Sequence, residues 1–163
     1  MKPSLRGASR TISLRVPEAE YRWRESDIYR VDVASGDVRQ LTTRKGPDNN
    51  PAVSPDGRLV AYTGYDSTDA TWHDAQLWVM GADGSGVRSL TPRLDRTPQA
   101  LLWAPDGSGV YFSVESEGSR NLWFAPLAGA PRQVTTGVQV LAVSDVGRGG
   151  LAVGVRSTPQ QPS

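Results

Sequence analysis

The residues with the greatest chemical potential in this 163-residue sequence surround its single histidine, His73. Asp69 and Asp74 lie close to it in the chain, so an acid-base pair or a metal site is one interpretation. A protein metal site needs several strong ligands at characteristic spacing, and one imidazole does not supply them. The aspartate-rich loops also lack the Asp-x-Asp-x-Asp-Gly pattern of a calcium loop. We therefore interpret His73 as a solvated loop residue and predict no metal ligand.

Nucleophilic catalysis has no motif in this sequence. The Gly-x-Ser-x-Gly elbow that exposes a catalytic serine does not occur, and any triad would have to use His73 as its base. There is no cysteine, which excludes a thiolate nucleophile, a disulfide framework and cysteine metal sites. The sequence predicts no catalytic, cofactor-binding or metal-binding residue and no cofactor.

Two aspartates could act as a carboxylate pair, but turn chemistry explains both of them. Asp56 lies in Ser-Pro-Asp-Gly and Asp106, 50 positions later, lies in Ala-Pro-Asp-Gly. In such a turn proline presets φ, aspartate bonds nearby backbone and glycine leaves the turn. Short alternating apolar runs follow, so each motif predicts a hairpin. Residues 141–153 form a weaker third copy in which Gly147 is expected to replace Gly57.

Two further motifs recur at nearly the same period. Arg-x-(Leu/Val)-Thr recurs at spacings of 49 and 44, in residues 39–42, 88–91 and 132–135. An aliphatic-aromatic pair recurs at spacings of 49 and 45, in residues 28–29, 77–78 and 122–123. A period of roughly 40–50 residues with several short strands per unit is typical of a β-propeller, whose blades are four-stranded antiparallel sheets.

The predicted fold class is therefore all-β, a partial propeller of about three blades with Ser-Pro-Asp-Gly-type repeats. We assign residues 1–163 to one incomplete propeller domain. Its strand segments are about 11–42, 51–91, 100–135 and 139–155, followed by a polar tail at 156–163. The strand counts are three, four, four and two, and the second segment has strands near 52–54, 58–63, 76–80 and 87–91. Closed propellers have about 4–8 blades, so we expect a piece of a longer protein.

Connections in an antiparallel meander alternate between two rims, with tight turns on one and longer polar loops on the other. The predicted long loops are residues 43–50, 65–75, 92–99 and 115–121. Their candidate binding residues are Asp48, Asp66, Asp69, His73, Asp74, Asp95, Arg96, Glu115 and Arg120. Because loops on a rigid scaffold often carry function, any binding surface is predicted on this rim.

The aromatic residues are given two interpretations. Tyr21 and Trp23 lie in a charged segment that we interpret as a rim loop or, alternatively, as a contact for a partner. Trp78, Trp103 and Trp123 lie at strand positions, so we expect them to pack between blades and not to stack on bases or sugars.

Charge and hydropathy exclude several partners. The 18 basic and 17 acidic side chains give a net charge of +1, which predicts no nucleic acid and no anionic membrane as partner. No segment has about 18 consecutive apolar residues. The amino terminus lacks the apolar core of a secretory signal. We expect a cytoplasmic protein if Met1 is the true start, and a periplasmic or secreted one if it is a cut end.

Residues 51–64, the repeated Arg-x-Leu-Thr and the run Gly-Ala-Asp-Gly-Ser-Gly at 81–86 carry a family resemblance. Together they resemble the N-terminal propeller of the prolyl oligopeptidase family of serine peptidases, in particular its acylaminoacyl-peptidase-like bacterial members, over residues 27–157. The resemblance implies a propeller that precedes an α/β-hydrolase catalytic domain in the parent chain and admits only short peptide substrates. No catalytic residue of the family falls on this chain.

The Ser-Pro-Asp-Gly repeat is shared with the periplasmic propeller of the Tol system, which leaves a second hypothesis. In that case the chain is part of a non-enzymatic scaffold that binds protein partners through its long-loop rim. The runs at residues 41–51 and 94–96 favour the peptidase family. A hydrolase sequence downstream in the parent gene would distinguish the two hypotheses.

Overall fold

The computed structural model describes residues 9–15, 25–67, 74–150 and 152–158. Every regular element in these ranges is a β-strand, which confirms the predicted all-β class. No helix within the described ranges is long and apolar enough to cross a membrane. Tyr21, Trp23, Asp69 and His73 lie outside the described residues.

The strands form successive antiparallel sheets, which we call blades 1 to 4. Blade 1 contains β1 (Ser9–Arg15), β2 (Ser26–Asp32) and β3 (Val38–Gln40). Blade 2 contains β4 (Asp48–Val53), β5 (Leu59–Gly64), β6 (Gln76–Gly81) and β7 (Arg88–Ser89). Blade 3 contains β8 (Gln99–Trp103), β9 (Gly109–Ser116), β10 (Ser119–Pro126) and β11 (Arg132–Gln133). Blade 4 contains β12 (Val140–Val146) and β13 (Ala152–Ser157).

Within the ranges that the structure describes, these counts agree with the predicted three, four, four and two strands. One parallel pair, Arg120 with Val140, joins blade 4 to β10 of blade 3. Strand β13 continues through Arg156 and Ser157, so the last blade extends two residues into the segment predicted as polar tail.

The two Pro-Asp-Gly motifs form equivalent hairpin turns, as predicted. In blade 2 the Asp56 carboxylate accepts the Arg58 amide at 3.1 Å, and Gly57 has a φ of 74°. In blade 3 the Asp106 carboxylate accepts the Ser108 amide at 3.0 Å, and a positive φ again falls on the glycine. Because the turn fixes these backbone bonds locally, the shared Pro-Asp-Gly sequence gives the same turn in both blades.

The third copy of the turn differs from its prediction. In the connection between β12 and β13 the left-handed conformation falls on Gly149 (φ 82°) and Gly150 (φ 79°). The prediction that Gly147 takes the place of Gly57 was therefore wrong. Without a Pro-Asp pair to fix the start of the turn, the glycines of this connection decide where the chain reverses.

The other two sequence landmarks form one structural unit. The threonine that ends each Arg-x-(Leu/Val)-Thr motif accepts, through its hydroxyl oxygen, the backbone amide of the aliphatic residue in the aliphatic-aromatic pair. The three pairs are Thr42 with Ile28 (2.9 Å), Thr91 with Leu77 (2.8 Å) and Thr135 with Leu122 (3.0 Å). The outer strands of blades 1, 2 and 3 have only three, two and two residues, and this side-chain bond attaches the chain just beyond each of them.

Blade 2 is buried on both faces. On one face Ala61 and Val79 pack with Phe112 of blade 3 in one core cluster. On the other face Val60 and Tyr62 pack with Ile28 of blade 1 in the second cluster. Since successive side chains of a strand point to opposite faces, the continuous apolar run of β5 serves both boundaries.

The described tryptophans lie between blades, which confirms the prediction of core packing. Trp103 belongs to the cluster between blades 2 and 3 and donates its indole N–H to the Ala52 carbonyl of blade 2 at 2.8 Å. Trp78 packs against the cluster between blades 1 and 2. Trp123 packs on Phe112, with ring centroids 6.4 Å apart.

Candidate functional site

The candidate surface is the long-loop rim, which we define as the connections 41–47, 65–75, 90–98, 117–118 and 134–139. The opposite tight-turn rim consists of the turns at 33–37, 54–58, 82–87, 104–108, 127–131 and 147–151. Strand order and antiparallel pairing place the connections alternately on these two rims. The division therefore follows the predicted one, although the loops on the long-loop rim differ in length from those predicted.

Three of the predicted rim residues are exposed loop residues. Asp66, Asp95 and Arg96 lie in connections between strands and face solvent. The Arg96 guanidinium lies 3.3 Å from the Asp95 carboxylate, and the Arg96 side chain is 48% exposed. Asp74 is half-buried, and its carboxylate accepts the Thr97 hydroxyl at 3.5 Å. The rim thus presents charges of both signs and no uniform field.

Two predicted loop residues lie in strands instead. Glu115 and Arg120 are opposite partners in β9 and β10, joined by a salt bridge of 3.1 Å. The predicted long loop at 115–121 is a hairpin whose turn contains only Glu117 (φ 50°) and Gly118 (φ 73°). Polar residues suggested a loop here, but a two-residue turn with positive φ at both positions matches the twist of the strands and lets them continue to it.

Asp48 was also predicted in an exposed loop, and it is fully buried at the start of β4. The strand can begin this early because its register shifts between Asn49 and Ala52, with Asn50 at a φ of 53°. The same irregularity recurs 50 residues later at Ala100 (φ 52°), in the first strand of blade 3. A bulge of this kind breaks the strict alternation that the sequence prediction relied on.

Asp48 is held by Arg44, which the sequence analysis did not identify. The Arg44 Nε donates to the Asp48 carboxylate at 3.0 Å, and its guanidinium lies 4.4 Å from the centre of the Trp78 ring. Burial raises the pKa of the Asp48 carboxyl, and the hydrogen bond and charge of Arg44 oppose that rise. A Cβ at Gly64 would overlap both side chains, so this position needs glycine. A four-residue spacing predicts an ion pair only on a helix, so the sequence carried no signal for this pair in a loop and a strand.

Arg44 also holds one end of the 65–75 connection, the longest on the long-loop rim. The Arg44 guanidinium reaches the exposed Asp66 carboxylate at 3.5 Å, and the Ser67 amide donates to the Lys45 carbonyl at 2.9 Å. At the other end of this connection the Ala75 amide donates to the Thr97 hydroxyl at 3.2 Å. The ends of the 65–75 connection are therefore tied to the segments that enter and leave blade 2.

Across the described residues, no group of three or more histidine, cysteine, aspartate or glutamate side chains could hold a metal ion. The charged side chains of the long-loop rim can bind by hydrogen bonds and ion pairs.

No protein-family model matches the chain. A similar curated relative is dipeptidyl-peptidase 5 of Porphyromonas gingivalis, 32% identical over 115 residues that cover 69% of this chain and 17% of that protein. The Tol-Pal system protein TolB of Desulfotalea psychrophila is 23% identical over 120 residues, covering 74% of this chain and 26% of that protein. The chain thus spans about a sixth to a quarter of the length of these relatives.

Solved structures with the same fold include the β-propeller domain of the Trilobed protease from Pyrococcus furiosus. It has a TM-score of 0.71 and 20% identity, covering 96% of this chain and 49% of that one. An acylaminoacyl peptidase in complex with Z-Gly-Gly-Phe-chloromethyl ketone also has a TM-score of 0.71 and 20% identity, covering 99% of this chain and 25% of that one. These similarities confirm the predicted propeller fold. This chain is a β-propeller segment of the kind found in prolyl oligopeptidase family peptidases, as the resemblance of its sequence to that family implied.

Proposed function

We propose that this chain is the non-catalytic propeller portion of a prolyl oligopeptidase-like serine peptidase and that it limits which substrates reach the active site. The observation that carries the proposal is the 32% identity to dipeptidyl-peptidase 5 over 115 residues. In this proposal the catalytic residues lie in an α/β-hydrolase domain of the parent chain, and that domain is the principal partner.

The proposed contribution is steric. Blades 2 and 3 pack through one core cluster, and in this proposal they form one wall beside the active site. A rigid wall beside an active site excludes folded proteins and admits extended peptides, because only a narrow chain can pass between the rim and the catalytic domain. Asp66, Asp95 and Arg96 lie on the long-loop rim. Their mixed charges favour contact with peptides of varied sequence.

The test uses the full-length parent peptidase and two insertion variants. A short Gly-Ser insertion between Glu117 and Gly118 enlarges the long-loop rim, and a matched insertion between Ala128 and Gly129 enlarges the tight-turn rim. We expect the first insertion to change the ratio of kcat/KM for long and short peptides several-fold, and the second to leave the ratio unchanged. Equal effects of both insertions, or a parent without peptidase activity, would contradict the proposal.

A second candidate is a non-enzymatic scaffold, because TolB is similar over 74% of this chain. In this alternative the long-loop rim binds a folded protein partner. The reading frame around the chain distinguishes the two: a downstream α/β-hydrolase sequence with a nucleophile elbow supports the peptidase, and a complete propeller without it supports the scaffold.

A further inference from the structure

Two buried carboxylates lie where blade 1 meets blade 2. Asp27 of β2 is 4% exposed and Asp48 of β4 is fully buried. The Ser26 hydroxyl donates to the Asp48 backbone carbonyl at 3.1 Å, which joins the two strands at this point. The Asp27 carboxylate accepts the Gln40 amide at 2.8 Å and the Thr42 hydroxyl at 3.2 Å. These bonds hold the charge of Asp27 near Asp48, and neighbouring like charges oppose each other's ionisation.

Arg44 is shared between buried Asp48 and an exposed carboxylate. Its Nε donates to Asp48 at 3.0 Å, and another nitrogen of the guanidinium lies 3.5 Å from Asp66. The Asp66 side chain is 72% exposed, and an ion pair in contact with water does little to hold two side chains together. The bond to Asp48 therefore decides where the Arg44 side chain lies.

The backbone beside Arg44 touches the beginning of the 65–75 connection. The Ser67 amide donates to the Lys45 carbonyl at 2.9 Å. A Cβ at Gly46 would overlap the Tyr65 carbonyl oxygen, so the two backbones are in direct contact there. The position of residues 65–67 therefore depends on that of residues 44–46, which Arg44 attaches to the interior.

We propose that Arg44, Asp48 and Asp66 form an acid-sensitive anchor, in which protonation of Asp48 releases Arg44 to solvent and loosens residues 65–67 on the long-loop rim. A neutral carboxyl does not compensate the guanidinium charge, and a cation inside the fold needs an anion or water. The rings of Tyr62 and Trp78, at 5.9 and 4.4 Å, attract the cation more weakly than a buried carboxylate does. Water is then the better environment, and the Arg44 side chain is already 20% exposed.

The groups that face Asp48 set the pH at which the anchor loosens. Burial raises the pKa of its carboxyl and the Asp27 charge adds to that rise, while Arg44 and the Thr42 hydroxyl oppose it. Burial also raises the pKa of Tyr62, so this phenol stays neutral. The anchor is therefore tight at neutral pH, and it loosens as the pH falls through the pKa of Asp48.

The test uses the full chain, which has no cysteine, so one introduced cysteine can carry a nitroxide spin label. Ser67→Cys keeps the backbone bond to Lys45 and places the label at an exposed position. We expect its mobility, measured by electron paramagnetic resonance, to rise between pH 7 and pH 4, with a midpoint above the ordinary aspartate value of about 3.9. Circular dichroism should show that the strands persist. A label at Val87→Cys, exposed on the tight-turn rim, is the control and should not change.

Two further substitutions in the Ser67→Cys chain identify the titrating group. Asp48→Asn removes the charge and keeps the shape, so the label should already be mobile at pH 7 and show no transition. Asp66→Asn should leave the midpoint unchanged, and this variant decides the matter if Asp48→Asn does not fold. A label that stays immobile down to pH 4, equal mobilisation at Val87, or loss of the transition in Asp66→Asn would overturn the proposal.

As regulation of substrate access, the anchor rests on the proposed function, because the 65–75 connection belongs to the rim assigned to that role. The spin label reports motion of the segment and not peptidase activity. An inactive parent would therefore refute the peptidase assignment without changing the label, and an immobile label would leave that assignment intact.

Discussion

The Thr91 hydroxyl oxygen accepts the backbone amide of Leu77 at 2.8 Å, at the boundary between blades 2 and 3. Both residues are fully buried. This bond joins two sequence motifs that recur separately along the chain, and it recurs with Thr42 in blade 1 and Thr135 in blade 3. In blades 1, 2 and 3 a side chain therefore attaches the segment after the outer strand, in addition to the backbone pairs of that strand.

Replacing Thr91 with valine should destabilise the chain by about 1–3 kcal/mol, because the Leu77 amide would be left buried without an acceptor. Thr91→Ser keeps the hydroxyl and is the matched control. Thr135→Val should cost less, since Thr135 is only half-buried. Urea unfolding followed by circular dichroism measures all three. Unchanged stability in Thr91→Val together with a loss in Thr91→Ser would show that the methyl group, and not the bond, is what matters.

Replacing Arg44 with methionine should destabilise the chain strongly at neutral pH. The change removes the cationic partner of the buried Asp48 carboxylate, and loss of one partner from a buried ion pair typically costs about 3–5 kcal/mol. Without Arg44 the pKa of Asp48 should rise further, since burial already raises it. A neutral carboxyl is less costly to bury, so the deficit of the variant should shrink as the pH falls from 7 towards 4. Arg39→Met, at an exposed position in β3, is the control. A deficit independent of pH would contradict this account.

The turn aspartates should also stabilise the fold at neutral pH and lose that contribution in acid. The Ser108 hydroxyl and amide lower the pKa of Asp106, and the Ser54 hydroxyl and Arg58 amide lower that of Asp56. A lowered pKa contributes stability above the unfolded value of about 3.9, and that stability is lost as the pH falls through the folded value. Asp106→Asn should therefore melt below the unsubstituted chain at pH 7 and together with it near pH 2. A melting difference that persists in acid would assign the effect to side-chain geometry alone.

The isolated chain should associate. Val153 and Val155 of β13 are 52% and 69% exposed on one face of blade 4, and within the described residues β13 pairs only with β12. Unpaired strand edges and uncovered apolar faces promote pairing between chains. Size-exclusion chromatography with light scattering should detect oligomers, and the double substitution of both valines by lysine should reduce them. Val87→Lys, on the tight-turn rim, is the control, and a clean monomer before substitution would refute the prediction.

The chain by itself should hydrolyse nothing. Serine peptidase chemistry needs a nucleophile, a hydrogen-bonded base and preorganised oxyanion donors, and the sequence offers only His73 as a base. Incubation with a fluorophosphonate probe and with acylated or unblocked peptides should give no labelling and no turnover above buffer. Stoichiometric labelling of a serine that His73→Ala abolishes would contradict the prediction.

The sequence by itself determined the blades. The 50-residue spacing of Asp56 and Asp106, the Pro-Asp-Gly turns and the short apolar runs identified the propeller, the number of strands and the interblade position of the tryptophans. These features are set by local chemistry: a turn fixes its own backbone bonds, and a strand of alternating apolar residues needs a covered face whatever its neighbour is.

Only the tertiary structure decided which polar residues are buried and paired. Asp48 is inside because Arg44 and Trp78, from other strands and connections, surround the site where it enters β4. Trp123 lines a groove, while Trp103 donates to blade 2, although both occupy strands of the same blade. The physical reason is that burial and hydrogen bonding of a side chain depend on which other segments fold against it, and the spacing of residues along one strand does not specify those neighbours.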